Sequence, residues 1–299
     1  MKIRADIVAG LAVSGLMLPE AVAYAAIAGV APGHAILAAI AGTLAYALTG
    51  RSRFAVVSAT SSSAAILAAS LATLPGGEGT QMLFMVMAVA LAGLLFLLAW
   101  VFRLGGLTGF ISHPVLRGFA FGLAITISVK QLPVLVGIPA PGGSLFHTGF
   151  AVIRALPQWH LLSLAVGLVA LGALLALRRW PGVPGALIVL ISGVAASGLL
   201  DLGAHGVAIV GRIALMPGTS AMPAFAPAML LETAQLAVPL ALILLAESWG
   251  TMRALALRHG DLLDPGRELR ALGFANLAAS LVQGMPVGSG LSASAANEA

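Results

Sequence analysis

The chain has no cysteine, only two tyrosines and very little charge, with acidic and basic residues together making up 8% of 299 positions. Without cysteine, disulfides, thiolate metal sites and cysteine nucleophiles are excluded. Soluble domains carry about one quarter charged residues, so 8% charged beside 60% hydrophobic excludes an ordinary water-soluble protein. The mean hydropathy of +1.06 agrees. No stretch is polar enough to form a soluble domain. The net charge of +5 sits in loops between apolar runs, where it is a topology signal and not a nucleic-acid footprint. His34, His113, His147, His160, His205 and His259 have no metal-ligand spacing. Met82, Met85 and Met87 face no second thioether cluster, so neither a metal nor another cofactor is expected. Met1 to Asp6 runs into a helix with no small-residue cleavage site, and a removable signal peptide is not expected.

What is present is a series of apolar runs. At about 20 residues per crossing, candidate spans fall near 7–30, 33–50, 54–72, 82–102, 108–136, 160–177, 183–200, 228–257, 268–284 and one starting near 286. A cytoplasmic N-terminus puts Lys2, Arg4, Arg51, Arg53, Arg103, Arg178, Arg179, Arg253, Arg258, Arg267 and Arg270 on the inner face and leaves Arg154 and Arg212 outside, as the positive-inside rule requires. The opposite loops, Pro75–Thr80, Pro139–Gly143 and 201–227, are rich in turn formers. The expectation is an all-α polytopic membrane protein. High alanine, glycine and arginine point to a bacterium with a GC-rich genome, and so to its inner (cytoplasmic) membrane.

Two spans are interrupted. Val57-Ser-Ala-Thr-Ser-Ser-Ser63 and Pro286-Val-Gly-Ser-Gly-Leu-Ser-Ala-Ser294, about 230 residues apart, put glycine and hydroxyls where apolar helix should begin. Each follows, by about 40 residues, an apolar helix with one carboxylate, Glu20 or Glu247. The topology runs the two spans in opposite directions, so the repeat is inverted. The β-branched residues of Phe54-Ala-Val-Val57 suit an extended stretch, and Ser58 and Thr60 read as a helix N-cap; Met285-Pro-Val287 has the same part in the second repeat. Spans 3 and 10 would then contain half-helices whose N-termini face each other at mid-membrane. Each offers about half a positive charge, which together make an anion site without a basic residue. Small residues also serve helix packing, but the pairing favours a site. The candidate substrate-binding residues are Glu20, Tyr24, Ser58, Ala59, Thr60, Ser61, Gly288, Ser289, Gly290 and Ser292. Glu20 and Glu247 are the candidates for a coupling ion, proton or sodium. Glu247 has a second reading as a structural hydrogen-bond partner of a half-helix, and Tyr24 a second reading as core. A membrane-embedded enzyme would need an acid/base or metal constellation at one depth, and none is found.

Several motifs resemble one family. Asp6-Ile-Val-Ala-Gly10, Leu18-Pro-Glu-Ala-Val-Ala-Tyr24 and Ala28-Gly-Val-Ala-Pro32 resemble the opening of the SulP anion transporters. Tyr46–Arg53, Gly109–Phe119, Gln131-Leu-Pro133, Ala246-Glu-Ser248, Glu268–Asn276 and Pro286–Asn297 follow in the family's order. The resemblance implies two inverted seven-span repeats (7+7) in which a core domain of spans 1–4 and 8–11 moves against a gate of spans 5–7 and 12–14. On that pattern 1–105 is core, 106–227 gate and 228–299 the start of the second repeat, ending inside span 10 before span 11, the rest of the gate and a cytoplasmic STAS domain. It also implies secondary transport of sulfate, bicarbonate or a dicarboxylate, and homodimers. Three departures stand out. Pro32-Gly-His-Ala-Ile-Leu37 replaces P-x-Y-G-L-Y, Ala293 stands where an arginine is usual, and Glu20 where glutamine is common. A pocket with an added carboxylate and no fixed cation repels a divalent anion unless a proton is taken up. Proton coupling through Glu20 is the resulting expectation, with a neutral substrate such as a nucleobase as the alternative.

Overall fold

Every helix that starts inside a membrane leaves amide donors without partners, so the fold is best followed through the elements that end there. The computed structural model describes residues 2–72, 77–106, 113–139, 144–180, 183, 185–214 and 227–298. The first repeat runs α1 (Lys2–Ala28), α2 (Pro32–Thr49), β1 (Val57–Ala59), α3 (Ser61–Leu71) and α4 (Glu78–Val101). Then come α5 (His113–Leu135), α6 (Leu145–Arg154), α7 (Leu161–Leu177) and α8 (Gly185–Leu199). α9 (Pro227–His259), α10 (Pro265–Leu281), β2 (Val287–Ser289) and α11 (Leu291–Glu298) restate the order of α1 to α3. Ala9–Ala28, Pro32–Thr49, Gly79–Val101 and Met229–His259 are each long and apolar enough to cross a membrane. α7 and α8 are shorter, at 17 and 15 residues, and α3 and α11, at 11 and 8, are half-helices.

The chain divides into two compact units. One comprises Met1–Gly118 with Ile213–Ala299, the other Phe119–Arg212. The core of the first is built from small side chains that let backbones approach. α1 buries Ala21, Ala25 and Ala28; α2 buries Ala35, Ala38 and Ala39; α10 buries Ala271, Ala275 and Ala279. Met85 lies in this core, fully buried on α4. Where α4 crosses α10, a Cβ on Gly93 would lie 3.0 Å from the Gly273 carbonyl oxygen, and one on Gly273 would lie 2.7 Å from Leu97. The two glycines let the helix backbones come close there.

α2 and α10 open alike, with Pro32-Gly33 and Pro265-Gly266 in their first turns, where proline's missing N–H costs nothing. Each reaches across to the other's end. His34 Nδ1 donates to the Gln283 carbonyl at 2.7 Å. Glu268, 1% exposed, accepts from the Tyr46 hydroxyl at 2.6 Å and from the Arg51 amide at 3.2 Å. The strands β1 and β2 pair antiparallel, with Val57 opposite Ser289, Ser58 opposite Gly288 and Ala59 opposite Val287. Val57 and Val287 begin the two strands, so Ser58 and Gly288 hold the same place in their repeats. Their pairing lies on the pseudo-two-fold axis. At the far end of the same unit, Glu298 of α11 takes Arg258 at 3.1 Å and His259 at 2.8 Å from the end of α9.

In the second unit, Ser144 caps α6 by accepting the His147 amide at 3.3 Å, and Trp159 Nε1 donates to the Val152 carbonyl at 3.0 Å. His160 caps α7 through Ser163 N at 3.3 Å. Apolar side chains stand bare along α7 and α8, Val169 at 71% and Val194 at 66%, an exposure suited to lipid and not to water.

Two sequence readings are corrected. Ser58 is not part of the α3 cap: it lies inside β1, and Thr60 alone is the N-cap. The extended pairing starts at Val57 and not at Phe54, because its partner strand ends at Ser289. α6 lies between the candidate spans 108–136 and 160–177. It is too short for a crossing and is invisible to a search for 20-residue apolar runs. Residues 73–76, 140–143 and 215–226 of the turn-rich loops, and Gly109–Ser112 of the fifth-span motif, lie outside the described residues.

Candidate functional site

Non-helical backbone at membrane depth must find partners inside the protein, and here side chains supply them. Asn276, fully buried on α10, donates to the Val287 carbonyl at 2.9 Å and accepts the Val287 amide at 3.1 Å. Ser248 Oγ of α9 accepts the Ser289 amide at 2.9 Å. From the first repeat, Thr43 Oγ1 donates to the Val57 carbonyl at 3.0 Å and Ser63 Oγ to the Pro286 carbonyl at 3.1 Å. From the second, Ser294 Oγ accepts the Val56 amide at 3.1 Å and Asn297 Nδ2 donates to the Phe54 carbonyl at 3.2 Å. The crossing strands are thus fastened by the opposite repeat as well as by each other.

Beside them lies a cavity of about 160 Å³ lined by Glu20, Tyr24, Ser58, Ala59, Thr60, Ser61, Glu247, Gly290, Leu291, Ser292 and Ala293. It collects residues of α1 and α9 and both half-helix starts. The α3 end is closed by a capping box, in which Thr60 Oγ1 accepts the Ser63 amide at 3.2 Å and Ser63 Oγ accepts the Thr60 amide at 3.1 Å. That leaves the Ser61 and Ser62 amides without intrahelical acceptors. Among the described residues no lysine, arginine or histidine lines the cavity.

The two carboxylates are used in a crossed manner. Glu247, on the second repeat, accepts the hydroxyl of Ser62 in the first turn of α3 at 2.6 Å, and the Thr60 hydroxyl also faces it. Glu20, on the first repeat, faces the hydroxyl of Ser292 in the first turn of α11, which also faces Tyr24. Counted from Val57 and Val287, Ser62 and Ser292 occupy the same place in their repeats. Each repeat therefore sends a carboxylate to the same serine of the other. The arrangement is not quite symmetric, since Ser62 is 2% exposed while Ser292 is open.

Of the residues singled out in the sequence, Glu20, Tyr24, Ser58, Ala59, Thr60, Ser61, Gly290, Ser292 and Glu247 come together on this cavity. Gly288 and Ser289 do not line it. They are buried behind it in β2, where a Cβ on Gly288 would lie 2.9 Å from both Leu244 and Ser248. Glu247 bonds a hydroxyl and not a backbone amide. Ser62 and Asn276 were missed as site residues, although each sits within a motif already noted. A larger cleft of about 690 Å³ opens between α1, α2 and the loop before β1. Arg51 and Arg53 lie at its edge, and it lacks the paired carboxylates.

The model of the sulfate permease family matches residues 3–299. The chain belongs to that family. A probable sulfate transporter of Mycobacterium tuberculosis (strain CDC 1551 / Oshkosh) is 33% identical over 300 residues, covering 98% of this chain and 53% of that protein. Prestin of Danio rerio is 26% identical over 330 residues, 98% of this chain and 44% of that one. The chain thus spans about half the length of the curated relatives it matches. Among solved structures, the transmembrane domain of the cyanobacterium bicarbonate transporter BicA superposes with a TM-score of 0.86 at 19% identity, over 100% of this chain and 77% of that one. Murine Slc26a9 in the inward-facing state gives 0.86 at 19% identity, over 98% and 52%. These likenesses establish the fold. In the sulfate permease family's terms, this chain is a multi-pass membrane protein with helix-breaking strands at the repeat crossing.

Proposed function

We propose that this chain forms the substrate-holding part of a secondary transporter for a small anion, bound between the N-termini of α3 and α11 and coupled to a proton carried by Glu20. The observation that carries the reading is the crossed placement of Glu20 and Glu247 around a cavity capped by two half-helix starts. Two helix N-termini supply about +1 in total, at roughly half a charge each, against two carboxylates. With both ionised the balance is negative and a divalent anion is repelled. A proton on Glu20 removes one charge, and the Ser62 and Thr60 hydroxyls take up much of the acceptor capacity of Glu247, so an anion meets mainly donors. In this reading Glu247 holds α3 in register, while the more open Glu20 exchanges its proton. Residues 1–105 with 228–299 act as the core, and 106–227 belong to the gate against which the core moves. The chain lies in the inner membrane with its N-terminus in the cytoplasm.

The lack of a cation in the cavity favours a second reading, a neutral heterocycle gripped by the two carboxylates. Size does not separate the two, since uracil and fumarate have equal numbers of heavy atoms, and a cavity of about 160 Å³ suits small solutes of either kind; the two half-helix N-termini at the cavity favour the anion. The test is uptake of labelled sulfate, bicarbonate, fumarate and uracil into proteoliposomes holding the protein with any natural sequence that flanks residues 1–299. Accumulation of one anion supports the proposal; uptake of uracil alone overturns it.

A further inference from the structure

Away from the crossing strands, the C-terminal end of α4 meets the N-terminal end of α10 at an open basin of about 740 Å³ whose lining includes Trp100, Arg103, Asp264, Arg267 and Arg270. We propose that this basin binds the phosphate of an anionic phospholipid headgroup at the membrane surface.

Three arginines face one aspartate here, and the aspartate is already engaged. Asp264 caps α10, accepting the Gly266 amide at 2.9 Å and the Arg267 amide at 3.4 Å, and its other oxygen lies 3.4 Å from Arg267 Nε. The helix end is therefore occupied by its own cap, and the free donors in the basin are guanidinium groups. Nε of Arg270 is buried with no hydrogen-bond partner among the described residues. Its guanidinium carbon stands 5.5 Å from the centre of the Trp100 ring, a cation–π geometry that fixes the fork in place. Nε is itself closed off, but Arg270 lines the basin, and a phosphate oxygen is the acceptor that the guanidinium fork matches. Arg103 follows the last turn of α4, where its φ of +56° ends the helix in the usual left-handed way, and it brings a further guanidinium to the basin.

A free anion and a lipid headgroup share this phosphate chemistry, and the surroundings decide for the lipid. Trp100, Val101, Phe102 and Leu104 are 38%, 62%, 68% and 43% exposed, so bare apolar surface borders the basic basin. That is an amphiphile's footprint, with tryptophan at the level where aromatic side chains mark the membrane interface. The site is separate from the transport cavity, with which it shares no lining residue.

The experiment is native mass spectrometry of the protein, with any natural sequence that flanks residues 1–299, released from mixed micelles of phosphatidylglycerol and phosphatidylcholine. The comparison is wild type against the exposed-residue double variant Arg103→Gln/Arg267→Gln, with circular dichroism confirming that both are folded. Each basic residue near an anionic surface contributes enough that the wild type should retain phosphatidylglycerol over phosphatidylcholine by about tenfold, falling to near parity in the variant. Should the double variant not fold, Arg103→Gln alone is read, with a partial fall expected. Equal retention of the two lipids by the wild type, or an unchanged preference in a folded variant, overturns the proposal. So does displacement of the lipid by millimolar inorganic phosphate, which would make the basin a soluble-anion site.

Discussion

Ser62 and Ser292 hold equivalent positions and meet equivalent carboxylates, yet their surroundings differ, and that difference sets what each substitution does. Ser62 is almost wholly buried against Glu247 at 2.6 Å. Ser62→Ala leaves a carboxylate short of a donor and should destabilise the protein by about 1–3 kcal/mol. Ser292 borders the open side, so Ser292→Ala should stay within about 0.5 kcal/mol. Unfolding in mild detergent measures both, and equal effects would contradict the asymmetry argued for the site. Tyr46→Phe makes a comparable test on the buried Glu268, whose remaining donors are then the backbone amides of Arg51 and Ser52. A loss of about 1–3 kcal/mol is expected there, and no loss would show the carboxylate to be satisfied otherwise. Glu20 and Glu247 were legible because a carboxylate within an apolar run is conspicuous. Their partners were not: Ser62 lies 185 residues from Glu247, a separation over which only the folded chain sets neighbours. Glu268 stands out in the sequence only as the first residue of the Glu268–Asn276 motif, and nothing local reveals that Tyr46 covers it.

Among the elements, the α4–α10 crossing and the paired strands hold the first unit in register. A side chain at Gly273 would run into Leu97 and the Gly93 backbone. Gly273→Val should therefore cost about 1–3 kcal/mol through overpacking or separation of the helices, read as a lower thermal midpoint. An unchanged midpoint would mean that the crossing can open freely. Both interruptions were legible as breaks, since glycine and clustered hydroxyls do not continue a membrane helix. The strand boundaries were not, because β1 begins where β2 can pair with it, and that partner is about 230 residues away. Thr60 and Ser58 are both plausible caps by residue type. Only the pairing of Ser58 with Gly288 removes it from the choice. α6 escaped notice for a different reason: ten residues with a Ser144 cap make a helix, but not a crossing.

For the molecule as a whole, the absence of cysteine becomes useful. Leu262, fully exposed between α9 and α10, and Val210, 59% exposed, can each be replaced by the only cysteine of residues 1–299, with any cysteine in flanking sequence removed. With the N-terminus inside, a membrane-impermeant thiol reagent added to intact cells should modify Val210→Cys directly and Leu262→Cys only after permeabilisation; the reverse pattern would invert the topology. The family was readable from motif order and the inverted repeat from the opposite directions of spans 3 and 10, whereas the bounds of the two compact units, at Gly118 and Ile213, depend on contacts. The central claim is that Glu20 carries the coupling proton at a site built from both repeats. Its most direct test is uptake of the transported anion into proteoliposomes, with and without an inward proton gradient, for wild type and Glu20→Gln. The account predicts that the gradient accelerates wild-type uptake and that Glu20→Gln abolishes this acceleration while still binding the anion. Equal acceleration in both would contradict it.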